Sequence, residues 1–140
     1  MTTDALTLDT LDALERRLVD VKEKRQIRRS MAAWARYRGF EPAAHHLLIM
    51  RELERFVFND DHEVLLLHLP PGSGKSTYSS ALFPSWYLSN FPQNSILFAT
   101  HNDAFAMRFG RRVRNDIISD AEVLGISMSP RVAPLISLPW

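Results

Sequence analysis

The sequence predicts an α/β protein in which a short, incomplete parallel sheet with crossover helices follows an amino-terminal helical lead-in, and three observations carry that expectation. Through most of the first 60 residues, apolar side chains recur at steps of three and four, the period of a helix face. Two short apolar runs, Glu63–Leu69 and Ser95–Thr100, have the length and continuity of buried parallel strands. A helical stretch follows each run, which is the order a parallel sheet requires. The chain therefore divides into a helical lead-in over residues 1–60 and a partial α/β domain over residues 61–140.

Taken in order, residues 8–29 place Leu8, Leu11, Leu14, Leu18 and Val21 on one helix face, with Asp9 positioned to cap the start. Ser30 to Arg38 reads as a short helix that Gly39 ends in the left-handed conformation, with Pro42 just beyond. Leu47, Met50, Leu53 and Val57 then mark a helix from Ala43 to Phe58 whose stripe belongs to the core. Asn59, Asp60 and Asp61 form a turn before the first apolar run. After the loop Pro70 to Gly74, a helical stretch runs from Lys75 to Asn90, kinked or ended by Pro84, which has no backbone hydrogen to donate. Asn102 to Ile118 is helical again, with Phe105, Phe109, Val113 and Ile117 at steps of four. Beyond Gly125, three prolines and no clear period leave the structure open.

Composition bounds the function. At 140 residues there is room for one domain, and 46% hydrophobic residues supply a core. Seventeen basic and sixteen acidic residues leave a formal charge of +1, so nucleic acid could be held only by a local patch, such as the basic run from Arg16 to Arg38. The absence of cysteine excludes disulfides, thiol catalysis and cysteine-ligated zinc. The first residues are acidic rather than signal-like, and no stretch approaches the roughly 18 apolar residues of a membrane span. A cytoplasmic protein is expected.

The chemistry lies in Leu69-Pro70-Pro71-Gly72-Ser73-Gly74-Lys75-Ser76-Thr77, which follows an apolar run and opens a helix, the setting of a phosphate-binding P-loop. A Gly-x-Gly-Lys-Ser/Thr match arises by chance in on the order of one chain in two hundred of this length. Backbone amides from Gly72 to Thr77, with the helix amino end, are expected to surround phosphate oxygens. Lys75 reaches the β- and γ-phosphates and the Ser76 hydroxyl holds the Mg2+ ion of a bound ATP. Leu69 stands where the motif's first glycine belongs, and Pro70 and Pro71 have no amide hydrogen. The cradle must therefore begin at Gly72.

The run HLPPGSGKSTYSSALFPSWYLSNFP, followed by SILFATHNDAFAMRFGRRVRND, resembles the large subunit of tailed-bacteriophage DNA-packaging terminases, and the likeness extends over Arg28 to Ile118, including Phe40-Glu41-Pro42 before the His45-His46 helix. The resemblance implies the amino-terminal part of a P-loop NTPase-type motor ATPase domain. The cofactors it implies are ATP and Mg2+. Its implied partners are double-stranded phage DNA, the portal protein and the small terminase subunit, in the cytoplasm of a bacterial host, with a homo-oligomer as the working state. It also implies a transition-state arginine, for which Arg108, Arg111, Arg112 and Arg114 are the candidates, and an adenine-side contact near His45 or His46, although adjacent helical histidines are expected to point apart.

Hydrolysis additionally needs a carboxylate to hold Mg2+ and a residue to orient water. The one apolar-to-acidic run, Phe56 to Asp61, precedes the loop on a helix end and is read as a decoy. Asp103, Asp116, Asp120 and Glu122 are spaced as surface acids rather than as a two-metal nuclease site. The chain is thus expected to bind nucleotide without being catalytically complete, as the amino-terminal part of a longer protein. The alternative is a non-catalytic prophage remnant or interaction module with a vestigial loop. A small P-loop kinase lacks length for a lid and an acceptor site.

Overall fold

A computed structural model describes the backbone of residues 3–59 and 64–127, with side chains from Leu8 onward. Six α-helices follow one another: α1 (Thr3–Arg29), α2 (Met31–Tyr37), α3 (Ala44–Phe58), α4 (Phe83–Asn90), α5 (Asp103–Ser119) and α6 (Ala121–Leu124). A π-helical segment, Thr77–Leu82, leads directly into α4. No strand or sheet occurs among the described residues, which overturns the expected parallel sheet of a P-loop NTPase-type domain.

The physical reason lies in what the two apolar runs meet. Residues 64–69 are extended, but one side alone is covered: Leu65, Leu67 and Leu69 pack on the helical core, whereas Val64 is 71% and Leu66 75% exposed. Their backbone groups form no hydrogen bond among the described residues. Residues 95–99 are exposed throughout and form no strand, and Leu97 is 94% exposed. A continuous apolar run specifies an extended chain, but a ladder also needs a neighbouring strand to take its N–H and C=O groups. None is present among the described residues. Asp60, Asp61 and Glu63 lie outside the described residues, as does everything beyond Ser127.

The helices follow the local signals closely. Ser30 caps α2 by accepting from the Ala33 amide at 3.4 Å. Its other end closes on Gly39 at φ 80°, where the Gly39 and Phe40 amides donate to the Arg36 and Ala35 carbonyls. That is the paired bonding of a left-handed helix stop. Gly125 ends α6 by the same device. Asn102 caps α5 by accepting from the Phe105 amide at 3.2 Å. Asp9 caps nothing, because α1 begins at Thr3 and runs through it.

Pro84 falls in the first turn of α4, where the π-helical segment gives way to α-helix. Having no hydrogen to give, it is preceded by the wider π turns, in which the Phe83 amide reaches back to the Tyr78 carbonyl.

The core gathers Ile27, Met31, Trp34, Ile49, Met50, Leu53, Tyr78, Leu82, Trp86 and Leu124. Trp34 lies at its centre, and its Nε1–H donates to Ser85 Oγ at 3.1 Å, which in turn donates to the Leu82 carbonyl. This chain of bonds satisfies the buried indole and hydroxyl together. Glu54 of α3 accepts from the Met31 amide at 2.6 Å and so serves an otherwise unpaired donor at the start of α2. Of the expected α3 stripe, Met50 and Leu53 are buried and Leu47 is exposed, and Ile49 joins the core beside them. Only the carboxyl-terminal end of α1 joins the core, through Ile27, while Leu8, Leu11, Leu14, Leu18 and Val21 are all exposed.

Candidate nucleotide-binding loop

The loop begins where Leu69 leaves the core and turns at Pro70 and Pro71. Its first closure is the Ser73 amide donating to the Pro70 carbonyl at 3.3 Å. Its last is the pair of amides of Thr77 and Tyr78, both donating to the Gly74 carbonyl, at 3.0 and 3.2 Å. Between these closures, Gly72 and Gly74 adopt φ values of 80° and 76°, a region in which a side chain is strained. Residues 69–77 alone line a concavity of about 450 Å³.

Within it, the amides of Gly72, Gly74, Lys75 and Ser76 have no acceptor among the described residues. The three consecutive free N–H groups of Gly74, Lys75 and Ser76, leading into a helix amino end, have the arrangement of an anion-binding nest. The amides of Ser73 and Thr77, the other two of the six expected to surround phosphate, donate to the Pro70 and Gly74 carbonyls and close the loop. Ser73 Oγ is buried without a hydrogen-bond partner. The side chains of Lys75 and Ser76 are exposed. The donor set suits a triphosphate with Mg2+: a row of free amides for phosphate oxygens, an ammonium to neutralise them and a hydroxyl for the metal. No carboxylate among the described residues lines the concavity.

Behind the loop stands α3. His46 Nδ1 accepts from the Ala43 amide at 3.1 Å, and His46 Nε2 lies 3.0 Å from the Ser73 carbonyl oxygen. Its ring stacks on Tyr78, with centroids 4.3 Å apart and planes 24° apart. Burial raises the Tyr78 hydroxyl above its ordinary pKa, and the charge of Glu41 adds to the effect. His45 does not point away as expected, because its ring centroid lies 3.9 Å from that of His46. The ring contact with the loop escapes the sequence reading, since residues 46 and 73 share no period and no motif.

The four arginines of α5 lie apart from the concavity, whose lining ends at Thr77. Arg111 Nε donates to the Met107 carbonyl in its own helix at 3.3 Å, and Arg114 Nε is buried without a partner. Asp116 is buried rather than a surface acid, and binds Arg38 at 2.5 Å. No group of three or more His, Asp or Glu side chains able to hold a metal occurs among the described residues. No described helix is long and apolar enough to cross a membrane. Comparison of the chain with protein-family models, curated proteins and solved structures finds no match.

Proposed function

We propose that this chain binds ATP with Mg2+ through residues 72–76, as the nucleotide-binding part of a phage DNA-packaging terminase large subunit. The observation that carries the reading is the set of free amides at Gly72, Gly74, Lys75 and Ser76, in a loop that ends in an exposed lysine and serine. Gly72, Gly74 and Lys75 bind the β- and γ-phosphates through their amides, and the Lys75 ammonium neutralises the charge between them. Ser76 directs its hydroxyl to the metal. Mg2+ supplies charge neutralisation across the phosphates when bound. In the assembly, the expected partners are double-stranded DNA, the portal protein and the small terminase subunit, in the cytoplasm of a bacterial host.

Binding without turnover is the expected behaviour, because no carboxylate among the described residues lines the concavity to hold the metal through hydrolysis. Removing the Lys75 ammonium takes away a charge-assisted contact worth about 1.5–3 kcal/mol, or roughly ten- to a hundredfold in affinity. Isothermal calorimetry of ATP–Mg2+ against wild type and Lys75→Ala checks this. Equal affinities, or no binding by wild type, would end the reading.

A second reading rests on α1. Its leucines are uncovered at helix spacing, as in an interaction module that presents an apolar face to a partner while the loop is vestigial. The same calorimetry separates the two, since a vestigial loop binds no nucleotide.

A further inference from the structure

A planar trans peptide points its C=O and its N–H in opposite directions, so whatever holds one end of the unit aims the other. The 73–74 unit is such a peptide, and no cis bond occurs among the described residues. Its carbonyl oxygen is held toward α3 by His46 Nε2 at 3.0 Å. Its other end is the Gly74 N–H, one of the free amides of the nest. The histidine ring is itself fixed. Nδ1 accepts from the Ala43 amide, so in the neutral ring the proton resides on Nε2, where it can be donated to Ser73. Stacking on Tyr78 holds the ring plane. The fit is close, since a Cβ added at Gly74 would lie 2.8 Å from His46 Nε2.

We propose that His46 is a positioning residue for the phosphate loop: by donating from Nε2 to the Ser73 carbonyl, it turns the Gly74 N–H into the nest. The inference rests on the nucleotide reading for its purpose, but its geometry can be judged alone. His46→Gln keeps a donor near the Nε2 position. His46→Asn keeps an acceptor for the Ala43 amide but is too short to reach Ser73. Both variants retain a polar side chain at the helix start, and thermal unfolding of each verifies that the chain folds.

The test uses the full chain and two readouts, calorimetry with ATP–Mg2+ and the NMR shifts of the Ser73 carbonyl carbon and Gly74 amide nitrogen. His46→Gln is expected to stay within about threefold of wild-type affinity with both shifts retained. His46→Asn is expected to weaken binding roughly tenfold, the scale of one lost hydrogen bond to a charged group, and to move both shifts. Shifts unchanged in His46→Asn would overturn the proposal whatever the nucleotide does, as would equal losses of affinity in the two variants. Shifts that move in Asn alone, in a chain that binds no ATP, would uphold the positioning role and refute the nucleotide reading.

Discussion

Gly72 and Gly74 are adjacent members of one motif with nearly the same backbone angle, yet their surroundings differ. A Cβ at Gly72 meets nothing within 4 Å, whereas at Gly74 it meets a histidine ring held at both nitrogens and stacked on a tyrosine. Alanine at either position incurs the left-handed penalty of roughly 1–2 kcal/mol. Only Gly74→Ala adds a collision with a side chain that cannot swing aside. Chemical denaturation is therefore expected to show Gly74→Ala less stable than Gly72→Ala, and equal midpoints would mean that the ring yields freely. The glycines, Lys75 and Ser76 were legible in the sequence because a phosphate loop is local. His46 was not, because its contact with Ser73 spans 27 positions and depends on how α3 docks.

Between elements, the joint of α2 with α5 is electrostatic. Arg38 binds Asp116 at 2.5 Å and also Asp120, while its guanidinium lies 5.5 Å from the centre of the Trp34 ring. Burial pushes the Asp116 carboxyl above its ordinary value of 3.8, and Arg38 and then Arg112 offset only part of that rise. A carboxyl whose folded-state pKa is raised binds its proton more tightly in the folded chain. Its contribution is thus fully present below the ordinary value and is lost as pH rises through the raised one. Urea unfolding of wild type and Asp116→Asn at several pH values is expected to show wild type gaining on the variant as the solution is acidified from neutrality, with the gain levelling off below about 3.8. A gain in the opposite direction would mean that Arg38 outweighs burial. Helix ends at Ser30, Gly39 and Asn102 were legible because caps are written in a few adjacent residues. The apolar runs at 64–69 and 95–100 read as buried strands and are not, since pairing is decided by what lies beside a run and not by the run itself. The α1 stripe shows the same limit: spacing identifies an apolar face but not whether anything covers it.

At the scale of the molecule, residues 64–69 and 95–100 present backbone groups without hydrogen bonds among the described residues, and Val64, Leu66 and Leu97 within them stand in solvent. Such edges pair readily with another copy. Light scattering after size exclusion is expected to give a broad or concentration-dependent profile with shallow thermal unfolding. A sharp 16.1 kDa peak with a cooperative transition would show that the edges are covered in solution. The central claim, that residues 72–76 are a phosphate site, meets its most direct test in a titration of the isotope-labelled chain with ATP–Mg2+, followed through the loop amides. The Gly72, Gly74, Lys75 and Ser76 amides are free and should shift most, whereas those of Ser73 and Thr77, already bound to the Pro70 and Gly74 carbonyls, should shift least. Loop amides that stay unmoved at saturating nucleotide, or the largest shifts falling on residues away from the loop, would contradict the account.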